Sequence, residues 1–107
     1  LRVEPTASRA NFRAILQAAR CYSLLVVGPP PVDDEEQNAR IGALSEAFRE
    51  EAAMLTVPFV DLFPVLVDDE VYRKEIACTD GAHPGSTGYR RIADVIGSSP
   101  QWWFRGA

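Results

Sequence analysis

Apolar residues recur along the chain in two rhythms. Phe12, Ile15, Leu16 and Ala19 return at three- and four-residue steps, with Arg9, Arg13, Gln17 and Arg20 off that face. This spacing predicts an amphipathic helix ending near Arg20. The polar stretch 2–8, which contains Pro5, predicts a loop leading into it, with Thr6 or Ser8 as the cap. The rhythm then changes. Leu24, Leu25, Val26 and Val27 form a continuous apolar run, too short for a helix and without alternation. A strand buried on both faces has this pattern, as in a parallel sheet covered by helices. Gly28-Pro29-Pro30-Pro31 ends it, because prolines have no N–H to give to a ladder.

Helical spacing returns with Ile41, Leu44, Phe48, Ala52 and Leu55, which predict a helix from Asp34 to about Met54. Asp33 is the expected cap and Glu36 its capping-box partner, while Asp34, Glu35 and Glu36 set negative charge against the positive helix end. Val57-Pro58-Phe59-Val60-Asp61-Leu62 predicts a second, shorter strand, and Asp68-Asp69-Glu70 a short helix through Tyr72 and Ile76. Tyr89, Ile92, Ala93 and Ile96 share one face of a last helix ending near Gly97.

The main elements therefore run helix, strand, helix, strand, loop, helix. That order predicts an α/β fold with a parallel sheet and right-handed crossovers. Two parallel strands leave their outer edges open, and independent stability usually takes at least three. The sequence thus reads as the second half of a doubly wound domain, with the other strands expected from residues outside these 107 or from another chain.

Composition narrows the function classes. With 107 residues, 47% apolar and 24% charged, the chain is one small globular domain or part of a larger one, able to bury roughly 65% of its unfolded surface. A net charge of -4 and no basic cluster beyond Arg90-Arg91 argue against nucleic acid as a partner. No apolar run approaches the ~18 residues of a membrane span. The chain begins at Leu1 rather than methionine, so the lack of a signal peptide carries no weight. Cys21 and Cys78 match neither a disulfide framework nor a zinc pattern, and two unpaired, buried thiols are expected. Compartment and oligomeric state are not set, with the cytoplasm slightly favoured.

The chemistry concentrates in Thr79-Asp80-Gly81-Ala82-His83-Pro84-Gly85-Ser86-Thr87-Gly88-Tyr89, which holds the single histidine. Residues three apart in a loop or first helical turn can bring the Asp80 carboxylate to one imidazole nitrogen of His83, leaving the other to take a proton from a hydroxyl. An isolated Asp-x-x-His also occurs as a surface histidine beside a helix-capping aspartate. Other candidates read more simply as structure. Ser86 is expected to cap the last helix, Ser23 to sit inside the first strand, and Cys78 to be a packed thiol. Asp61 is expected to end its strand by bonding local amides, as against touching the active-site side of the sheet. The run from Asp33 to Glu36 reads as capping rather than a metal site. Trp102, Trp103 and Phe104 are expected to pack the tail against helices, with an acyl pocket or an interface as alternatives.

Asp80-Gly81-x-His83-Pro84, followed by Gly88-Tyr89 and the stripe Ile92, Ala93 and Ile96, resembles the final motif of the SGNH (GDSL-type) hydrolases. Leu24 to Pro30 is similar to that family's penultimate strand and following loop, the helix carrying Asn38 and Ala39 to its long helix, and Phe59-Val60-Asp61-Leu62 to its last strand. Gly85 stands where the family often has a polar residue such as asparagine. The resemblance implies a three-layer α/β/α, flavodoxin-like sandwich, of which this chain supplies about the last two strands and three helices as the C-terminal part of a single domain. It implies an esterase or lipase acting on small acyl esters without a cofactor or metal, with Asp80 as orienting acid and His83 as general base. It also implies a serine in an early Gly-Asp-Ser motif and oxyanion donors in middle motifs. Neither Gly-Asp-Ser nor Gly-x-Asn-Asp occurs in this sequence. A non-catalytic binding or assembly domain, completed by a partner chain on the same scaffold, is the alternative.

Overall fold

A computed structural model describes residues 4–102. Among them are five helices and two strands: α1 (Pro5–Ala18), β1 (Val26–Val27), α2 (Glu35–Met54), β2 (Phe59–Val60), α3 (Leu62–Leu66), α4 (Glu70–Cys78) and α5 (Ser86–Ser98). The strands are parallel, with Val26 opposite Phe59 and Val27 opposite Val60. The expected mixed α/β order is present; α4 is the short helix expected from Asp68-Asp69-Glu70, and α3 is additional.

The ladder is narrower than the sequence pattern predicts. Val26 N–H donates to the Pro58 carbonyl at 3.0 Å and Gly28 N–H to that of Val60 at 2.9 Å, while Leu24 and Leu25 precede the strand. Val26 is half-buried and Val27 is 42% exposed, so β1 is not buried on both faces as expected. The reason is pairing: among the described residues β1 has only β2 beside it. β2 stops at Val60 because the chain turns directly into α3, whose third residue is Pro64. A first helical turn tolerates proline, since its N–H would have no partner there.

Val60, Leu62, Leu66, Tyr72 and Ile76 form the buried cluster, with Leu25, Ile92, Val95 and Ile96 packed against it. These residues join the strands to α3, α4 and α5. Tyr89 and Ala93, expected on the inner face of α5, are exposed, and Val95 takes part instead. Phe59 points the other way, where Gly28 lies close to its ring and to Ser45 of α2. Helices therefore stand on both sides of the ladder.

The helix ends follow local chemistry. Asp34, not Asp33, caps α2, accepting from Gln37 N–H at 3.0 Å, and Glu36 pairs with Arg40 rather than closing a capping box. At its other end, Thr56 N–H reaches the Ala53 carbonyl and Val57 N–H that of Ala52, a Schellman closure with Thr56 in the left-handed region at φ 58°. Asp69 caps α4 through Tyr72 N–H at 3.0 Å. Pro5 opens α1 at a position suited to proline, and neither Thr6 nor Ser8 serves as its cap. Both Cys21 and Cys78 are exposed, contrary to the buried thiols expected. No helix among the described residues is long and apolar enough to cross a membrane.

α1 rests on α2 through one buried residue, Leu16, the stacked rings of Phe12 and Phe48 at 4.2 Å, and an ionic cluster. Ile15 is 65% exposed, although its spacing placed it inward. Arg9 and Arg13, expected off the packed face, both bind Glu51 of α2, Arg9 Nε at 2.5 Å from Oε2. Glu51 is 2% exposed, so its charge depends on these two guanidinium groups for compensation. Hydrogen bonds from Arg13 and then Arg9 hold its carboxyl at about 2, below the ordinary 4.5. The folded-state value is depressed, so this stabilisation is full above about pH 4.5 and is lost as pH falls towards 2. Urea midpoints measured from pH 7 to 2 are expected to fall through this window in the wild type. Glu51→Gln is expected to be less stable at pH 7 and to show a shallower acid limb; parallel limbs would remove Glu51 from the acid response.

Candidate functional site

The loop between α4 and α5 is built by a few local bonds. Thr79 caps the end of α4, its N–H and hydroxyl both bonding the Ile76 carbonyl. Gly81 N–H also reaches that carbonyl, at 2.8 Å, with Gly81 at φ 81°, a conformation that favours glycine. The chain then reverses around Asp80. Its Oδ1 accepts from His83 N–H at 2.7 Å and Ala82 N–H at 3.0 Å, and its Oδ2 lies 2.6 Å from His83 Nδ1. The Thr79 hydroxyl shares its one proton between the Ile76 carbonyl and the His83 carbonyl, which ties the histidine backbone to the end of α4.

These bonds determine the protonation pattern. The amides of His83 and Ala82, followed by the His83 ring, hold the Asp80 carboxyl well below the usual carboxylate range. An ionised carboxylate only accepts, so the proton on the short contact belongs to His83 Nδ1. The opposite nitrogen, Nε2, makes no hydrogen bond among the described residues. The His83 side chain is 71% exposed and that of Asp80 58%. An imidazole with Nδ1–H held by a carboxylate and a free, accessible Nε2 is equipped to accept a proton there.

A second loop supports the first. The Asp33 N–H that follows the proline run donates to the Gly81 carbonyl at 2.7 Å. Asn38 of α2, buried, grips Val32 from both sides, its Oδ1 accepting from Val32 N–H and its Nδ2 donating to Val32 O, each at 2.8 Å. The loop after β1 therefore ties the Asp80–His83 turn to α2. This is the carboxyl end of the strands, where α/β folds place their sites.

The remaining candidates separate from the pair. Ser86 is the first residue of α5 and makes no side-chain cap; the cap position is Gly85. Ser23 lies exposed before β1, not inside it. Asp61 accepts from the Ser45 hydroxyl at 3.0 Å rather than from local amides. Asp34 works as a helix cap, in line with the capping reading of the acidic run. Trp102 is half-buried, its N–H on the Ser99 carbonyl, while Trp103 and Phe104 lie outside the described residues.

Sequence reasoning missed Glu75, Thr79 and Asn38. Glu75 of α4 accepts from Gly88 N–H at 2.6 Å, supplying α5 with the cap that Gly85 cannot. A signal was available: a helix start flanked by Gly85 and Gly88 needs its acceptor from elsewhere. Gly88 is required for a different reason. A Cβ there would stand 2.3 Å from Pro84 Cβ and 2.7 Å from Glu75 Oε1. Alanine gains about 1 kcal/mol over glycine in a helix, but overpacking against a proline ring costs typically about 1–3 kcal/mol. Gly88→Ala is therefore expected to lower unfolding stability by up to about 2 kcal/mol in urea titration; a gain would show that the Pro84 contact yields freely.

The family model for the GDSL-like lipase/acylhydrolase family matches residues 1–91, which include the whole Asp80–His83 turn and the first turn of α5. No curated protein matches the chain.

Proposed function

Since the chain belongs to the GDSL-like lipase/acylhydrolase family, we propose that it supplies the acid–base part of a serine-type carboxylic ester hydrolase. The observation that carries this reading is the 2.6 Å contact between Asp80 Oδ2 and His83 Nδ1, with Nε2 left accessible. Residues 1–107 would form the C-terminal part of one three-layer SGNH domain. Asp80 would keep the Nδ1–H tautomer and stabilise the imidazolium that forms during the reaction. His83 Nε2 would take the proton of a serine hydroxyl as that oxygen attacks the ester carbonyl, then return it to the leaving alcohol. Oxyanion donors would stabilise the charge on the carbonyl oxygen. The serine and those donors would come from outside this sequence, which contains no Gly-Asp-Ser. The chemistry needs no cofactor.

That missing motif also supports a second reading: a non-catalytic assembly domain on the same scaffold, with a partner chain completing the sheet at β1. Replacing His83 by Ala in the intact protein separates the two. With a short p-nitrophenyl ester, His83→Ala is expected to reduce kcat by about 10²–10⁴-fold, the usual contribution of a general base. Unchanged turnover would exclude His83 from the mechanism, and no turnover by the wild type towards any acyl ester would favour assembly.

The nucleophile's origin has its own test. A fluorophosphonate that labels activated serines, followed by peptide mass mapping, is expected to leave every serine of residues 1–107 unmodified. An adduct on Ser86 would mean that the turn supplies its own nucleophile.

A further inference from the structure

Beside the loop, the Glu75 carboxylate pairs with no cation among the described residues. Among the described residues its hydrogen bond is to a backbone amide, Gly88 N–H, at 2.6 Å. The packing around it is unusually close. A Cβ on Gly85 would meet the Glu75 carboxylate at 3.2–3.4 Å, and one on Gly88 would meet it at 2.7 Å. Two glycines thus admit a side chain from α4 to the start of α5, where none of α5's own residues makes a side-chain cap. The negative charge also suits the positive end of that helix.

Pro84 transmits this contact to the site. It is buried, it stands against Gly88, and it directly follows His83. The first turn of α5 is therefore fixed by Glu75, Pro84 is fixed against that turn, and the His83 backbone has little freedom to leave Asp80. From this geometry we propose that Glu75 is a positioning residue for His83. It holds the α5 end of the loop so that both His83 N–H and Nδ1 reach the Asp80 carboxylate. The proposal rests on His83 being the general base.

Glu75→Ala and Glu75→Gln in the intact protein test it, with readouts at both ends of the chain of contacts. Amide hydrogen exchange reports the Gly88 bond, ¹⁵N spectra of the imidazole report the Nδ1–H tautomer, and steady-state hydrolysis of a short p-nitrophenyl ester reports the consequence. Glu75→Ala is expected to speed Gly88 exchange about tenfold or more, since it removes a charged acceptor. It is also expected to reduce the Nδ1–H signature of His83 and to lower kcat by about tenfold to a hundredfold with KM little changed. Glu75→Gln keeps a carbonyl oxygen facing Gly88 and is expected to restore most of all three, and it stands in should the alanine variant fail to fold. Faster Gly88 exchange with an unaltered His83 tautomer would reduce Glu75 to a helix cap and overturn the proposal. So would unchanged Gly88 exchange, or a glutamine variant as impaired as alanine. If wild-type turnover proves independent of His83, the underlying reading fails, yet the exchange and tautomer measurements still decide whether Glu75 orders the ring.

Discussion

The turn at Asp80 depends on a carboxylate with more donors than a surface aspartate usually has. Two backbone amides and one imidazole N–H converge on it, and all three come from the next three residues. The amides matter most, because they hold the carboxylate ionised before the ring is considered. An ionised acceptor then dictates where the imidazole carries its proton. The direction of His83, its tautomer and the accessibility of Nε2 follow from that one oxygen pair. The surrounding contacts keep the pair from opening: Thr79 at the His83 carbonyl, Asp33 at Gly81, and Glu75 at Gly88.

The rest of the molecule is thin by comparison. The shape is a plate of 43 × 40 × 18 Å, with a radius of gyration of 14.6 Å against about 13 Å expected for a compact chain of this length. Among the described residues, a two-strand ladder and one small apolar cluster support five helices. α1 in particular is held by a ring stack, one leucine and the Glu51 cluster rather than by broad burial. Order at the turn comes chiefly from directional bonds rather than from a deep core beneath it.

Much of this was legible in the sequence where a single local rule decides the outcome. The spacing of Ile92 and Ile96, the short helix opening at Asp68-Asp69-Glu70 and the approach of Asp80 to His83 each need only a few neighbouring residues, and each is found. Expectations failed where the outcome depends on what lies across space. Four apolar residues from Leu24 to Val27 looked like a strand buried on both faces, but a central strand needs a neighbour on each edge, and among the described residues β1 has β2 alone. Arg9 and Arg13 looked like solvated positions, because helical spacing says nothing about a glutamate some forty residues away. Ile15 shows the converse, an apolar residue on a face that α2 does not cover. Glu75 is the most instructive omission: its partner amide is thirteen residues on, and two glycines rather than any motif mark the opening it fills.

That omission bears on how such a site persists through sequence change. Among the described residues, the side chains that hold the turn lie in one uninterrupted segment, from Glu75 to Gly88, and the Asp33 amide enters from elsewhere as backbone. A contribution from backbone places little demand on the side chain that carries it. The proposed acid–base half of the site is therefore a local unit of the chain. Insertions or deletions inside the segment would break the register between the carboxylate and the ring at once.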